Sequence, residues 1–343
     1  MRILHIADLH LGAKNSKLPK DKQDILKNEM MENCHHLFCE VGRRYDAVVV
    51  CGDLFHSKNV SVSIAESFFK YVQQYEKPVL YVSGNHDEKF IMPEKPNNFI
   101  VLDGQNPSYQ LEECVFWAGD NLTGFDENKT NVLLLHGNIE NPQDNDYVDI
   151  NSYLQYNFDY IALGHIHQVK KYKKGAHIFA YSGSLFSNGF DECGDKGYLD
   201  VEIENKTLVR CEFRPLEQRR YLICEYDISG DNSNAEIEGG VRAELQKIGA
   251  TKKDVIRVIL KGYYEEHFSK SLTILEEKME NYFYIEFEDS SKIRLDIEKL
   301  KSETLSLKNE FISLVEEADL AQEVKEKVIK LGIEALKGED LSV

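Results

Sequence analysis

Residues 47–56 read Ala-Val-Val-Val-Cys-Gly-Asp-Leu-Phe-His, an apolar run that ends in Gly52 and Asp53. A short run of β-branched residues before a glycine is typical of a buried strand that turns at its carboxyl end. Five polar signatures follow an apolar run in this way: Asp8-Leu9-His10, Gly52-Asp53, Gly84-Asn85-His86-Asp87, His136-Gly137 and Gly164-His165-Ile166-His167. Ligands of open α/β folds bind beyond the carboxyl ends of the strands, so we expect the five signatures to meet at one site.

The apolar runs and the stretches between them predict the fold class. Candidate strands are Arg2–Ala7, Ala47–Cys51, Pro78–Ser83, Asn131–Leu135, Tyr160–Leu163 and Ile178–Tyr181. Helical patterns occupy Asp24–Arg43 and Val62–Tyr75, so the chain begins as strand, helix, strand, helix, strand, which indicates an α/β domain. Less helical pattern separates the later strands, and this favours a mixed sheet or a two-sheet sandwich.

The character of the sequence changes near Arg214-Pro215. The following stretch reads β-α-β-α-β, and from about Ile297 the chain is rich in Glu, Lys and Leu. Two segments there carry apolar residues at helical spacing: Leu307, Phe311, Leu314, Val315 and Ala318 in one, and Val324, Val328, Leu331 and Ala335 in the other. We therefore predict a first domain over residues 1–215, a small α/β domain over 216–290 and a helical segment over 291–343.

Composition and charge restrict the function classes. The 343 residues are 42% hydrophobic and 29% charged, with a formal net charge of −18 that is spread along the chain. Such a surface opposes non-specific binding of nucleic acid, so a polyanionic substrate needs a local positive site such as bound metal. No apolar run approaches the roughly 18 residues of a membrane span. The N-terminus reads as a strand rather than a signal peptide, and the seven scattered cysteines suggest a reducing, cytoplasmic setting.

The side chains of the five signatures form a metal-type donor set. The donors are Asp8, His10, Asp53, Asn85, His136, His165 and His167. Oxygen and imidazole donors without a thiolate suit Mn, Fe or Zn, with Mg also open. Seven ligands are too many for one such ion, but they suit two ions about 3.5–4 Å apart that share a bridging carboxylate. The alternative, that these are unrelated turn and capping residues, requires chance to put every member at the end of a strand.

With its elements D-x-H, G-D, G-N-H-D, H and G-H-x-H in that order, the sequence resembles the calcineurin-like metallophosphoesterase superfamily over residues 1 to about 200. The resemblance implies a four-layered α/β/β/α sandwich. It also implies these ligands: Asp8, His10 and His167 for one ion, and Asn85, His136 and His165 for the other, with Asp53 bridging both. His86 would contact the scissile phosphate as general acid or transition-state stabiliser, and Asp87 would orient His86.

The stretch Gly52-Asp53-Leu54-Phe55-His56 is similar to the G-D-L-F-H of SbcD-type DNA-repair exonucleases. Protein phosphatases instead carry G-D-x-x-D-R-G. The resemblance implies that His56 assists near the substrate phosphate, whereas the alternative is a turn histidine packed under the sheet. Val60 stands where that family often has proline, so a related branch of the YhaO kind stays open.

By the same resemblance, the second domain would position DNA and the terminal helices would dock on the coiled coil of an SbcC-type ATPase. The implied protein is a two-metal phosphodiesterase acting on DNA, the nuclease subunit of a repair complex, with a homodimer left open. Two lysine runs would rim the metal cleft or form solvated loops: Lys14, Lys17, Lys20 and Lys22, and Lys170, Lys171, Lys173 and Lys174. The rival functions are a small-molecule phosphodiesterase or phosphatase on the same fold, and a non-enzymatic assembly subunit.

Overall fold

The computed structural model describes residues 1–13, 16–57, 60–87, 94–119, 121–265, 268–294 and 307–337. The chain separates into two compact units. The first unit contains Met1–Ile223, Ala250–Arg257 and Asn281–Ile285, and the second contains Cys224–Gly249, Val258–Glu280 and the described residues from Glu286 onward. The division into three domains drawn from the sequence stays a prediction.

Two six-stranded sheets form the body of the first unit. The first sheet has the spatial order β12 (Thr207–Pro215), β11 (Gly197–Glu204), β1 (Arg2–Ile6), β2 (Ala47–Cys51), β3 (Val79–Val82) and β4 (Phe99–Val101). The second has the order β5 (Ser108–Leu111), β6 (Cys114–Ala118), β7 (Thr130–His136), β8 (Tyr160–Gly164), β10 (His177–Tyr181) and β9 (Lys170–Lys174). The strands β1 to β4 are parallel, as are β6, β7, β8 and β10, and the remaining strands pair antiparallel at the edges.

Alternate residues of the central strands face two different cores. In β2, Val48 and Val50 pack in a cluster with helical residues, while Val49 and Cys51 pack in a cluster with residues of the second sheet. Because both faces of this strand are covered, its sequence is a continuous apolar run rather than an alternating one. Helices α1 (Lys20–His36) and α2 (Val62–Tyr75) cover the outer face of the first sheet.

The outer face of the second sheet is covered by loops and by the 3₁₀ turn Ile150–Tyr153. The layers are therefore α/β/β with a thin fourth layer in the described part of the chain, and the expected sandwich class is confirmed.

All six predicted strands are present. The helical pattern predicted from Asp24 begins at Lys20, directly after Pro19, and continues beyond His36 through the π-helical turn Leu37–Val41.

A three-stranded sheet, in the order β13 (Tyr221–Asp227), β14 (Val255–Lys261) and β16 (Tyr284–Asp289), alternates in sequence with α3 (Asn234–Lys247) and α4 (Leu272–Lys278). A short pair, β15 (Tyr263–Tyr264) and β17 (Lys292–Ile293), is parallel. The side chains of Ser233 and Ser271 accept hydrogen bonds from the first turns of α3 and α4, which satisfies amide groups that a helix leaves unpaired at its N-terminus.

Helices α5 (Leu307–Glu317) and α6 (Gln322–Lys337) pack on each other. The buried residues of their joint core are Ile312, Val315, Ile329 and Ile333. This face differs from the predicted stripes, because only Val315 of those stripes is buried while Phe311 and Val328 are partly buried beside it. Several apolar side chains stay exposed: Leu307, Leu314, Leu320, Val324, Leu331 and Leu336. None of the described helices combines the length and the apolar character needed to span a bilayer.

Candidate metal centre

The five signatures lie at the carboxyl ends of parallel strands from both sheets. Asp8 and His10 follow β1, Asp53 follows β2 and Asn85 follows β3, while His136 ends β7 and His165 follows β8. The backbone amide of Asp8 donates to Gly52 O at 3.1 Å and that of His10 donates to Asp53 O at 2.9 Å. These bonds hold the first two loops against each other.

Asp8, His10 and His167 form one group of donors whose ligand atoms all lie within 4.8 Å of one another. The two imidazole Nε2 atoms of His10 and His167 are 3.1 Å apart. Two lone pairs directed at each other at this distance repel, so the pair must share a proton or coordinate one cation. This group contains the three residues expected to hold the first ion.

Asp8, Asp53 and His136 form a second such group. His136 Nδ1 lies 3.0 Å from Cys51 O, and because a carbonyl only accepts, this nitrogen carries the proton and leaves Nε2 free for a ligand role. That Nε2 is 3.1 Å from Asn85 Oδ1 and 3.6 Å from Asp53 Oδ2. Asp53 Oδ2 is also 3.7 Å from His10 Nε2, so this one oxygen lies beside both groups, as a bridging ligand requires.

His165, expected to bind the second ion, lies beside the second group, although its ligand atoms form a separate group with Asp144 and Asp146. Its ring centroid is 5.3 Å from that of His136, and its amide donates to both carboxylate oxygens of Asp8 at 3.0 and 3.1 Å. Its Nε2 lies 3.7 Å from Asp144 Oδ2. The sequence reasoning missed Asp144, which lies in a loop without a recognisable motif and is brought to the site only by the tertiary fold.

The backbone around the site is strained, and its glycines are sterically required. Asp8, His10, Asp53 and His165 all have positive φ values, between 44° and 103°, which non-glycine residues rarely adopt. Such strain is typical of functional sites, where the surrounding structure holds residues in unfavourable conformations. A Cβ atom on Gly84 would lie 2.2 Å from Asp53 Oδ1, so the backbone can approach the carboxylate only as glycine.

His86 and His56 lie at the exposed rim of the centre. The His86 ring is 4.9 Å from that of the expected ligand His10 and 5.8 Å from the His56 ring. The His86 amide donates to Asp53 Oδ1 at 3.0 Å, and its Nδ1 lies 3.0 Å from His56 O. Exposure beside the ligand groups suits both histidines to contact a substrate. It does not suit the alternative of a His56 packed under the sheet.

That Asp87 orients His86 stays a prediction, and the hydrogen bonds of Asp87 go to other groups. Its buried carboxylate accepts hydrogen bonds from the amides of Leu54 and Phe55, both at 2.9 Å, and from the Tyr81 hydroxyl at 2.7 Å. Asp87 therefore fixes the loop that carries Asp53 and His56, because its oxygens turn towards those amides. The carbonyl of His56 provides the contact to the His86 ring instead.

A second carboxylate that the sequence reasoning assigned no role contacts an expected ligand. Glu192 Oε1 lies 2.5 Å from His167 Nδ1. Burial alone would lower the pKa of His167, but the hydrogen bond to Glu192 and the charges of Asp8 and Glu192 together raise it.

Burial determines the protonation of most other groups of the centre. It lowers the pKa of His10 to about 4 and also lowers the pKa values of His136 and His56. These imidazoles are therefore neutral near pH 7, which is the form that binds metal. Burial raises the pKa of Asp8 well above its usual value, so a nearby cation would be needed to keep this carboxylate ionised.

The second lysine run forms strand β9 at a sheet edge, and most of its side chains have protein partners. Lys170 pairs with Glu140 at 2.6 Å, Lys171 donates to Cys211 O and Lys174 contacts Asn151. Lysines are common on such edges, where they prevent pairing with other chains. In the first run, Lys20 pairs with Asp24, and Lys14 lies outside the described residues.

The donor set fits divalent metal. Oxygen and imidazole ligands converge in two groups that share Asp8, and burial lowers the pKa values of His10 and His136. Mn, Fe and Zn all accept such ligands, so the set does not select one of them.

Comparisons with known proteins found the following similarities. Residues 1–169 match the family described as calcineurin-like phosphoesterase. A DNA double-strand break repair protein Mre11 from Methanocaldococcus jannaschii is 28% identical over 232 residues, which are 57% of this chain and 60% of that protein. Another Mre11 from Methanococcus maripaludis is 25% identical over 324 residues, covering 78% of this chain and 81% of that protein. Among solved structures, TT1561 of Thermus thermophilus matches 63% of this chain and 99% of its own, with 12% identity and a TM-score of 0.39.

Proposed function

We propose, from the match of residues 1–169 to the calcineurin-like phosphoesterase family, that the protein is a two-metal phosphodiesterase acting on DNA. The observation that carries the proposal is the position of Asp53. Its Oδ2 lies 3.7 Å from His10 Nε2 and 3.6 Å from His136 Nε2, between two donor groups. One carboxylate shared in this way is what two adjacent ions require.

Two divalent ions held by these ligands would neutralise phosphate charge and lower the pKa of water. The residues of the chain have separate tasks. Asp87 holds the loop of Asp53 through the amides of Leu54 and Phe55, so the ligand geometry is set before substrate binds. His86, exposed and next to His10, contacts the scissile phosphate and donates a proton or hydrogen bond to the departing oxygen. His56 lies beside it and contacts the same phosphate.

The choice of DNA as the substrate rests on likeness and on charge. The Mre11 proteins that resemble this chain are named for repair of DNA double-strand breaks. The net charge of −18 disfavours any polyanion that is not drawn in by a local cation, so DNA binding would depend on the metal centre. A cytoplasmic location, manganese as the resident metal and a homodimer belong to the same proposal.

The partner we propose is a coiled-coil ATPase of the SbcC type. Leu314 of α5 and Leu331 of α6 are 65% and 37% exposed, although the two helices already bury a joint core. Apolar side chains repeated along exposed helices are suited to a partner helix. Docking of that ATPase would bring its motor activity to the nuclease.

The test is a nuclease assay on linear duplexes and single strands with defined ends, with Mn²⁺ and Mg²⁺ compared. Bis-p-nitrophenyl phosphate and a cyclic nucleotide serve as small substrates under the same conditions. Metal-dependent shortening of DNA by the wild type, lost in His86→Ala, supports the proposal. Turnover of the small substrates with intact DNA would instead establish the small-molecule phosphodiesterase, and no turnover of any substrate would leave an assembly subunit.

A further inference from the structure

We infer that Glu192 is a positioning residue that fixes the tautomer and ring orientation of His167, so that Nε2 of His167 faces Asp8 and His10. The inference rests on the proposed metal centre. It assigns a role to a residue outside the five signatures, 25 positions after the histidine that it contacts.

The geometry determines which nitrogen carries the proton. An ionised carboxylate only accepts hydrogen bonds, so Nδ1 of His167 donates to Glu192 Oε1 across 2.5 Å. The lone pair of neutral His167 is then on Nε2, which is 3.1 Å from His10 Nε2 and belongs to the donor group of Asp8 and His10. Carboxylates in this position raise the basicity of a ligating histidine and hold its ring in place.

Glu192 is itself held in place from several sides. The Ser184 hydroxyl donates to Glu192 Oε2 at 3.2 Å, and the Asn188 amide lies 3.4 Å from the same oxygen. The buried Lys196 ammonium is 3.9 Å from Glu192 Oε2 and donates to His167 O at 3.1 Å. Only 11% of the Glu192 side chain is exposed, so water competes little for its oxygens.

In the second donor group, the ring of His136 is held by a weaker hydrogen bond. His136 Nδ1 contacts a neutral backbone carbonyl, Cys51 O, rather than a carboxylate. A change at Glu192 should therefore affect the ion of the Asp8, His10 and His167 group and leave the ion of His136 largely unchanged. This asymmetry separates a positioning role from a general loosening of the fold.

The experiment measures metal affinity and histidine tautomers in the full chain. Mn²⁺ binding to apoprotein is followed by calorimetry for the wild type, Glu192→Ala and Glu192→Gln. The ¹⁵N spectra of the metal-free proteins report which nitrogen of His167 carries the proton. Glu202→Gln is the matched control, because it removes the charge of a glutamate in β11 that pairs with Arg210 of β12 and stands opposite Arg2, at the far end of β1 from Asp8.

For Glu192→Ala we expect one ion to bind about 10–100-fold more weakly, the other to keep its affinity, and the His167 tautomers to mix. The metal affinity of Glu192→Gln should lie between those of Glu192→Ala and the wild type, because its amide oxygen still accepts a hydrogen bond from His167 Nδ1 but carries no charge. Glu202→Gln should bind like the wild type. The inference is overturned if Glu192→Ala binds both ions normally, or if Glu202→Gln is equally impaired. A wild-type protein that binds no divalent ion would overturn the proposed function as well.

Discussion

His5 of β1 and Tyr160 of β8 are joined by a hydrogen bond between the two sheets, with 2.8 Å between His5 Nδ1 and the Tyr160 hydroxyl oxygen. The other ring nitrogen, Nε2, donates to Leu163 O at 3.2 Å, so Nδ1 accepts from the hydroxyl and the imidazole is neutral. Burial lowers the pKa of His5 to about 3. This histidine is structural, and its protonation is coupled to folding.

The first prediction follows from that coupling. The unfolded chain protonates His5 near its ordinary pKa of about 6.5, whereas the folded chain does not until about pH 3, so stability is present above pH 6.5 and falls as the pH drops towards 3. Between pH 7.5 and 5.0, this residue should lower the free energy of unfolding by about 2 kcal/mol. Urea unfolding at both pH values measures this free energy. Its decrease from pH 7.5 to 5.0 should be larger by that amount in the wild type than in His5→Gln. Equal drops would show that His5 does not carry the effect.

The second prediction concerns the shared carboxylate. Asp53→Ala should remove both ions and the phosphodiesterase activity, because the same carboxylate contacts both donor groups. Metal content per chain, measured after gel filtration, checks this. Asp103→Asn is the control, since Asp103 caps an exposed turn through the amides of Gln105 and Asn106. Two ions retained in Asp53→Ala would refute the bridging role.

The third prediction separates chemistry from metal binding. His86→Ala should keep its metal content, because the His86 ring lies at the exposed rim and contacts the His56 carbonyl. The rate should fall roughly 10²–10⁴-fold, the usual effect of losing a positioned acid or base. His35→Ala, at an exposed position on α1, is the control for loss of an imidazole. Loss of metal in His86→Ala would make this residue a ligand.

The fourth prediction concerns the close approach of the backbone at the third signature. A methyl group on Gly84 would lie 2.2 Å from Asp53 Oδ1, so Gly84→Ala should displace that carboxylate and weaken metal binding at both groups. Gly104→Ala is the matched control, because a Cβ atom there meets nothing within 4 Å. Calorimetric titration with Mn²⁺ compares the two variants, and wild-type affinity in Gly84→Ala would count against this packing argument.

The fifth prediction concerns the helical hairpin. Leu314→Ser combined with Leu331→Ser should abolish co-purification with a coiled-coil ATPase while leaving metal content and phosphodiesterase activity unchanged. The reason is that both side chains are exposed and outside the joint core of the two helices. Val209→Ser, at a 52% exposed position in β12, is the control for lost surface hydrophobicity. Retained co-purification in the double variant would place the contact elsewhere.

The sequence alone determined the central parallel strands β1, β2, β3, β7, β8 and β10, and the donors that follow five of them. Buried parallel strands must be continuously apolar, and the polar residues after them must lie at one edge of each sheet, so both features are local and readable. Six strands of the first unit were missed. Four of them, β4, β5, β9 and β12, lie at sheet edges and are incompletely buried, as in the lysine-rich β9. The other two, β6 and β11, lie inside the sheets and are largely buried.

Only the tertiary structure decided which side chains orient the donors. Asp87 and Glu192 bond to groups 33 and 25 positions away, and Asp144 reaches His165 from a loop without a motif. The positive φ values of Asp8 and Asp53 are likewise imposed by the surrounding fold, since the residue types alone do not favour them. The buried face of the hairpin was also set by packing, because helical periodicity marks several apolar stripes and the partner helix selects Ile312 and Val315.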